Sequence, residues 1–511
     1  MQEKLTYNVF CQQVAAKTPL IFITTDNESR TEALITRAAL QGIKGMPGPM
    51  EWNCTTGFPG IDGTVDPQQA LRYVLEHEGH GIFLFKDMTW FWEDNPFLQR
   101  MLKDFAAIKR QATKVMVFVA AEISIPATLR EDFLILHHAL PDREEIHAHL
   151  QTKRQKDTFL KDLLDDDDKL AALTVAGQGL DIADIDRALR LARVAKDMTL
   201  ERVNNNLLQV KQQILNKSGI MEFVDNDVKS NQVGGLQALK AWMAKRESAF
   251  GLKELNSGRN LPKGVLMMGI SGCGKSLFVK AIADRWRLPL IRLDMATVYS
   301  GAYGSPESSL RKACQTAEAL SPCVLWIDEI EAGISSQGFK AEGGAASRVL
   351  GYFLTWMQEK RHPVFVAATA NAIELLPAEV LRKGRFDEIF YVTLPGVVER
   401  EDIFRIHLKK RSFDPEKFNV SILSHSSKGF SGAEIEQAVA SASFEAMADK
   451  REMEQKDLTE AISSTVPLSV TMAEQIKKIE AWAFKRAVPA SGVETAKSPV
   501  APEPEEGVSQ V

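Results

Sequence analysis

A glycine-rich stretch in the middle of the chain has the residue types and the spacing of a phosphate-binding loop. It runs from Gly269 to Ser276, with four residues between its first glycine and a closing Gly-Lys-Ser. Glycines let backbone N–H groups converge on phosphate oxygens, and the N-terminus of a following helix adds a favourable dipole. Lys275 can then reach the β- and γ-phosphates of a nucleotide, while the hydroxyl of Ser276 can ligate Mg²⁺. The predicted nucleotide contacts in this stretch are Gly269, Ile270, Ser271, Gly272, Cys273, Gly274, Lys275, Ser276 and Leu277.

The segments on either side of the loop predict the elements that such a loop requires. Residues 264–268 form an apolar run typical of a short buried strand. Residues 277–287 place Phe278, Ile282 and Trp286 on one face of a helix. The alternative is a glycine-rich turn without a ligand, which the order strand, loop, helix disfavours.

Two adjacent carboxylates end a second apolar run, at residues 323–327. Asp328 is placed to hold Mg²⁺ through water, and Glu329 is placed to polarise the water that attacks the γ-phosphate. An acidic pair after a core strand can also be a surface feature. The phosphate loop upstream favours the catalytic interpretation.

A third apolar run, residues 363–370, is followed by Asn371, whose amide could orient the attacking water beside Glu329. Arg382 and Arg385 come next, on a turn that contains a glycine. Arginines can stabilise the charge of a phosphate in transfer. Since both lie far along the chain from the loop, the ATP of a neighbouring subunit is a plausible target, and a pair of solvated arginines is the alternative.

Taken together, these motifs resemble those of the AAA+ ATPases of the AAA clade, from about residue 231 to about 450. The loop resembles Walker A, Asp328-Glu329 resembles Walker B and Asn371 resembles sensor 1. The resemblance identifies Arg382 and Arg385 as arginine fingers that act across a subunit interface. It adds nucleotide contacts from an early motif near adenine and from a lid motif, here Gly234 and the pair Gly432 and Ala433.

The resemblance implies a fold, cofactors and partners. The expected fold class is α/β, with a parallel sheet covered by helices on both faces and a helical lid. The expected cofactors are ATP and Mg²⁺, with Ser276 and Asp328 as the metal ligands. A homo-oligomeric ring, usually a hexamer, is expected to turn ATP hydrolysis into work on a protein partner.

Two stretches depart from the family pattern. The loop has Ile270, Ser271 and Cys273 where the family favours prolines and threonine, which should matter little because backbone amides do most of the binding. In the pore loop the family places an aromatic residue two positions before a glycine, where this chain has Ala302. Tyr303 follows one position later, so it either grips a threaded peptide or only packs.

Composition bounds the class of protein. The chain has 511 residues, 45% hydrophobic and 25% charged, as expected of a globular protein with two or three domains. A net charge of −5 gives no basic footprint for nucleic acid. Five scattered cysteines indicate a reducing compartment, and no signal peptide or membrane-spanning run is visible, so we expect a cytoplasmic or stromal protein.

The first half of the chain repeats the pattern of the second half without its chemistry. Three short apolar runs alternate with helical patterns, which predicts a parallel α/β sheet. Leu140-Pro141 and Gly179-Leu180 introduce sequences that echo those at Leu394-Pro395 and Gly429-Phe430, in the same order. We infer a duplication that left a degenerate AAA-like module, with Lys86 and Asp87 in place of the paired carboxylates. Chance similarity between two α/β halves is the alternative.

These observations predict a division of the chain into six segments. Pro467-Leu468-Ser469 and Trp482 also resemble the C-terminus of one group, the AAA ATPases encoded by hypothetical chloroplast reading frame 46 and their bacterial relatives. That resemblance implies a regulatory role, connected in photosynthetic members with carbon use. The predicted segments are a degenerate α/β domain (1–150), a helical lid-like segment (151–220), a linker (221–232), a catalytic α/β domain (233–410), a helical lid with C-terminal helices (411–487) and a disordered tail (488–511).

Two further functions are compatible with the motifs. The chain could be a nucleotide-controlled switch or scaffold with slow hydrolysis, which the displaced Tyr303 favours. A DNA-associated motor fits less well, because the motifs are those of the AAA clade and no basic stripe is visible.

Overall fold

The computed structural model divides into two compact units, Met1–Pro141 and Asp142–Val511. It describes residues 3–25, 27–108, 111–195, 199–226, 228–250, 261–300, 305–334, 345–382, 384–483 and 486–491. Tyr303 and the rest of the predicted pore loop after Ser300 lie outside the described residues, as does most of the predicted C-terminal tail.

The first unit is built on one parallel sheet. Its strands pair in the order β1-β6-β2-β5-β4-β3. Among the described residues of this unit, the strands are β1 (Glu3–Lys4), β2 (Leu20–Thr24), β3 (Met50–Trp52), β4 (Gly81–Lys86), β5 (Lys114–Ala120) and β6 (Phe133–His137).

Helices cover both faces of this sheet, which explains why its central strands are continuously apolar. Alternate residues of β2 enter two separate cores: Leu20 and Phe22 enter one, Ile21 and Ile23 the other. The helices are α1 (Tyr7–Ala15), α2 (Glu28–Arg37, continued by a π-helical turn over Ala38–Gly42), α3 (Pro67–Glu76), α4 (Thr89–Trp92) and α5 (Pro96–Ala107).

The sheet of the second unit repeats this arrangement. Its strand order is β13-β12-β8-β11-β10-β9-β7, parallel throughout except that β7 runs antiparallel to β9. The described strands are β7 (Met221–Phe223), β8 (Gly264–Gly269), β9 (Leu290–Leu293), β10 (Cys323–Ile327), β11 (Val364–Ala370), β12 (Glu388–Val392) and β13 (Val488–Pro489).

Five adjacent strands follow the same order in both sheets: β6-β2-β5-β4-β3 in the first and β12-β8-β11-β10-β9 in the second. Numbered by their position in the chain, each set reads fifth, first, fourth, third and second. A duplication of one module would leave this pattern, and the predicted fold class is confirmed. Of the strands of the first unit, the sequence pattern missed β1, β3 and β6. β1 and β3 have only two and three residues, too few for a visible alternation. Twelve residues separate β6 from β5, and its short apolar run was not singled out as a strand.

The helices of the second unit fall into three groups along the chain. One bundle precedes the strands of the sheet in sequence, a second group flanks the sheet, and another bundle follows it in sequence. The first bundle has its own core around Leu173 and Leu207, and the last has its own core around Phe404 and Val439. The bundle helices before the sheet are α6 (Arg143–Lys156), α7 (Thr158–Leu163), α8 (Asp167–Gly177), α9 (Ile182–Val194) and α10 (Leu200–Ser218). The helices that flank the sheet are α11 (Gln237–Arg246), α12 (Lys275–Trp286), α13 (Met295–Tyr299), α14 (Pro306–Ala319), α15 (Ile330–Ile334) and α16 (Ala345–Glu359). Those that follow are α17 (Val397–Lys410), α18 (Val420–Ser426), α19 (Gly432–Ala448), α20 (Gln455–Ser464), α21 (Leu468–Thr471) and α22 (Ala473–Ala483).

Two of the predicted segments contain strands of the second sheet. The segment 221–232, predicted as a linker, begins with β7, and the segment 488–511, predicted as a tail, begins with β13. Both are edge strands of two or three residues, so neither carries a periodic signal. None of the described helices combines the length and the apolar character needed to cross a membrane.

Gly179 joins the first bundle closely to the α/β part of the second unit. Its φ is +80°, and a Cβ atom at this position would lie 1.8 Å from the carbonyl oxygen of Ala319. We expect Gly179→Ala to lower the free energy of unfolding by at least about 2 kcal/mol, because backbone strain and overpacking add. Urea titration followed by far-UV circular dichroism would measure this loss.

Gly384→Ala is the matched control for this substitution. Gly384 also has a positive φ, +98°, but apart from its chain neighbours no atom of the described residues lies within 4 Å of an added Cβ. It should therefore report backbone strain alone, about 1 kcal/mol. Equal losses in the two variants would contradict the close packing at Gly179.

Candidate active site

The phosphate loop lies between β8 and the N-terminus of α12, as predicted from the sequence. Gly269, Gly272 and Gly274 have φ values of +146°, +76° and +89°. A Cβ atom on Gly269 would lie 2.1 Å from the carbonyl oxygen of Val392 on β12, so only glycine fits there. The chain thus turns back sharply onto α12, and the backbone can approach a phosphate without side chains in the way.

Lys275 is the first residue of α12 and is buried, with 6% of its surface exposed. Its Nζ donates hydrogen bonds to the carbonyl oxygens of Gly269, at 3.0 Å, and Ile270, at 2.8 Å. Burial lowers its pKa, although Cys273 and the nearby carboxylates act in the opposite direction. A buried ammonium group held by the loop's own carbonyls could bind phosphate oxygens at the same place.

The remaining loop residues differ in exposure. Ile270 is buried, Ser271 is exposed and Leu277 packs partly against the core on one face of the sheet. Burial raises the pKa of the Cys273 thiol to about 12, so the thiol stays protonated and is a weak nucleophile at neutral pH.

Asp328 follows the end of β10 and connects two neighbouring elements. Its Oδ1 accepts a hydrogen bond from the hydroxyl of Ser276, at 3.2 Å, and another from the hydroxyl of Thr369 on β11. The two predicted metal ligands, Ser276 and Asp328, are therefore in direct contact. Thr369 was not predicted, although it lies only two residues before Asn371 at the end of the same strand.

Glu329 adopts a left-handed backbone conformation, with φ +46°. Its N–H donates to the hydroxyl of Thr369, at 3.1 Å, and its exposed side chain accepts a hydrogen bond from Asn371 Nδ2 at Oε1, at 2.8 Å. The turn therefore places the carboxylate beside the amide of Asn371, as the sequence predicted.

Glu331 holds Asn371 from the other side and was not predicted. Its Oε1 accepts the backbone N–H groups of Asn371, at 2.7 Å, and Ala372, at 3.1 Å, and its side chain is almost fully buried. A buried carboxylate that accepts two N–H groups fixes the position of the strand end. Its spacing, two residues after Glu329, was the available signal.

The predicted lid residues lie against the phosphate loop. Ala433 N–H donates to the carbonyl oxygen of Gly272 at 3.0 Å, and a Cβ atom added to Gly432 would lie 3.3 Å from the same oxygen. Both residues begin α19, which is capped by the paired side chains of Ser431 and Glu434. The first residues of α19 are therefore in direct contact with the phosphate loop.

Gly234 approaches the other end of the lid. A Cβ atom on Gly234 would lie 2.8 Å from Cγ1 of Ile403 on α17. Two residues later, Leu236 N–H donates to Oε1 of Glu399 on the same helix, at 3.0 Å. The segment predicted to lie near adenine is thus attached to the lid through α17.

Comparisons with known proteins give the family. Residues 265–394 match the ATPase family associated with various cellular activities (AAA), and residues 6–138 match the N-terminal domain of SpoVK-like AAA ATPases. The uncharacterized AAA domain-containing protein ycf46 of Guillardia theta is 37% identical over 477 residues, which are 92% of this chain and 93% of that protein. The chain belongs to the ycf46 family of AAA ATPases.

Other relatives agree with this assignment. The ycf46 protein of Pyropia yezoensis is 36% identical over 475 residues, 91% of this chain and 95% of its own length. A cell division control protein 48 homolog C of Arabidopsis thaliana is 31% identical over 248 residues, 47% of this chain and 30% of its own. As an AAA ATPase, this ycf46-family chain binds and hydrolyses ATP.

The two predicted arginine fingers of this ycf46-family chain lie on the turn that precedes β12. Arg382 is exposed, and the guanidinium group of Arg385 donates to the carbonyl oxygen of Glu379 on the same turn. Among the described residues, neither guanidinium group forms a hydrogen bond with the loop, Asp328 or Glu329. This placement is compatible with an action on another subunit.

The first unit carries inverted charge at the corresponding place in its sheet. Lys86 ends β4, where Asp328 follows β10, and its Nζ lies 2.9 Å from Oε2 of Glu32 and 3.0 Å from Oε2 of Glu51. Asp87, next in the chain, has φ +62°. The backbone turn found at Glu329 is therefore present, and Asp87 keeps a carboxylate there, but the ammonium group of Lys86 with its two carboxylate partners takes the place of Asp328.

Proposed function

We propose that this chain is a Mg²⁺-dependent ATPase that assembles into a ring and uses ATP hydrolysis to remodel a protein partner. The observation that carries the proposal is the hydrogen-bonded series from Ser276 through Asp328 and Thr369 to Glu329 and Asn371. It connects the start of the helix after the phosphate loop with a carboxylate and an amide that together can hold a water molecule.

Lys275 and the loop amides would bind the phosphates. The lid residues Gly432 and Ala433 touch the loop through Gly272, so nucleotide in the loop would affect the position of the lid. Gly234 would contribute on the adenine side, since it is packed against α17 at the start of the lid.

The residues at the proposed metal site fit Mg²⁺. Ser276 and Asp328 offer a hydroxyl and a carboxylate, with Oγ and Oδ1 3.2 Å apart, and Mg²⁺ prefers oxygen ligands of this kind. Few protein ligands are needed, because Mg²⁺ in nucleotide sites keeps waters and binds substrate phosphates. When bound, the ion would neutralise charge on the β- and γ-phosphates.

Glu329 is proposed as the general base and Asn371 as the residue that positions the attacking water. The amide of Asn371 holds one carboxylate oxygen of Glu329, and Glu331 fixes the backbone of Asn371. A base and a positioning group held from two strands are pre-organised for attack in line with the γ-phosphate.

A ring would explain why Arg382 and Arg385 form no hydrogen bond with the phosphate loop of their own chain among the described residues. AAA proteins generally oligomerise and act on protein substrates, and we propose a hexamer in which each subunit supplies these arginines to its neighbour's ATP. The first unit, whose Lys86 replaces the metal-binding carboxylate, is proposed to hold the partner rather than nucleotide.

We place the protein in the cytoplasm. The five cysteines are all free, which is typical of a reducing compartment. A slow nucleotide-controlled switch or scaffold is the second candidate, because Tyr303 lies one position later than the aromatic residue of peptide-threading relatives.

ATP turnover per subunit, measured across a wide range of protein concentration, tests the proposal. A shared active site should give specific activity that rises with concentration and then levels off as rings form. Constant specific activity would contradict a shared site. Negligible turnover with retained ATP binding would favour the switch.

A further inference from the structure

A cavity of about 350 Å³ lies between the first helical bundle and the far end of α12. Asn204 and Lys211 of α10 form one wall, and Phe250, Trp286, Arg287 and Pro322 contribute to the other. The volume is within the range of about 300–1,000 Å³ typical of small-molecule sites. α12 begins at the phosphate loop and has twelve residues, so the cavity lies about 18 Å from the loop and is separate from the ATP site.

Two buried polar groups of this cavity have no hydrogen-bond or ion-pair partner among the described residues. Lys211 is 6% exposed, and among the described residues no carboxylate forms an ion pair with it. The Oδ1 atom of Asn204 is buried and accepts no hydrogen bond from a described residue. A buried charge costs free energy unless it is paired, so a ligand with an anionic group beside Lys211 would be favoured. The oxygen of Asn204 needs a hydrogen-bond donor and therefore does not itself select an anion.

Burial lowers the pKa of Lys211 to about 8, so the amine is still mainly protonated at neutral pH. Cys323 is the ionisable group that interacts electrostatically with Lys211. Burial raises the pKa of its thiol to about 12, so the thiol is neutral at pH 7 and does not balance the charge of Lys211. The cavity therefore holds a net positive charge on an otherwise largely apolar wall.

We propose that this cavity binds a small monocarboxylate with an apolar body, whose carboxylate pairs with Lys211. One buried ammonium group matches a single negative charge better than a phosphate dianion. The side chains of Phe250, Trp286 and Pro322 provide the apolar surface for the body of the ligand. Arg287, which is exposed, adds positive charge at the cavity without having to be desolvated.

The test uses 3-phenylpropionate as the probe on the full chain, with isothermal titration calorimetry as the readout. 3-Phenylpropan-1-ol has the same body without the charge. Lys211→Met keeps the length of the side chain and removes its charge, and it should weaken binding of the carboxylate at least about tenfold while changing binding of the alcohol less than about twofold.

Lys245→Met is the matched control, since Lys245 is exposed on α11 outside the cavity. Leu208→Trp should block both probes by filling the cavity, which it lines. ATP turnover of each variant shows that it is folded. Because the bound carboxylate favours the charged amine, affinity in the parent should be nearly constant from about pH 6 to 7 and fall as the pH rises through about 8, and this fall should be absent in Lys211→Met.

Two outcomes would overturn the proposal. One is equal affinity of parent and Lys211→Met for 3-phenylpropionate, which would mean that Lys211 does not recognise the carboxylate. The other is no binding by the parent at about 10 mM probe, which would leave the cavity as a site for water only. Tighter binding of inorganic phosphate than of 3-phenylpropionate would likewise reject the monocarboxylate class.

Discussion

Arg385→Ala should lower ATP turnover about a thousandfold, the lower end of the range for an arginine that completes a neighbour's site. ATP affinity should change little, because Arg385 forms no contact with the phosphate loop among the described residues and donates instead to Glu379. Steady-state turnover and equilibrium titration with a fluorescent ATP analogue would separate the two effects. A large loss of affinity would contradict a role across the interface.

Mixing two inactive variants makes this experiment decisive. Lys275→Met removes the ammonium group at the phosphate loop but keeps Arg385, while Arg385→Ala keeps the loop. In an even mixture about one quarter of the interfaces combine an intact loop with an intact arginine from the neighbour. Activity should therefore recover to about a quarter of the parent value, and mixtures without recovery would mean that Arg385 acts within its own chain.

Glu329→Gln should reduce turnover by about 10²–10⁴, the usual contribution of a general base, while ATP still binds. Glutamine keeps an oxygen that can accept the hydrogen bond from Asn371, so the arrangement around the site should persist. The hydrogen bond from the backbone of Glu329 to Thr369 is independent of the side chain. Single-turnover kinetics with radiolabelled ATP would measure the chemical step directly.

The control for this substitution is Glu374→Gln, the same chemical change on an exposed residue three positions after Asn371. It should turn over ATP at the parent rate. If Glu329→Gln also hydrolysed ATP at that rate, another group would have to be the base.

The sequence was sufficient to predict that the candidate residues at the ends of strongly apolar strands lie close together. Lys275, Asp328, Glu329 and Asn371 each follow or precede a buried strand, and parallel strands bring their carboxyl ends together at one edge of a sheet. Asn371 and Glu329 lie close together because β10 and β11 are neighbours in the sheet and run parallel.

Other features depend on packing between distant segments and gave no local signal. Thr369 and Glu331 support the site through hydrogen bonds that span about forty positions of the chain. The cavity at Lys211 requires the first helical bundle to meet the end of α12, which no periodic pattern indicates. β3 and β7 have three residues each, too few for their alternation to be visible.

A residue in the left-handed conformation follows β10 in the second unit, at Glu329, and β4 in the first unit, at Asp87. Since Asp87 follows a lysine in a unit without a Gly-Lys-Ser loop, the conformation belongs to the connection itself and is not strain reserved for catalysis. A nucleotide site engineered into the first unit would therefore not require a change of this turn. The ammonium group of Lys86 would have to be removed and a glycine loop inserted after β2, so the first unit differs from the second in charge and loop while it shares the backbone turn.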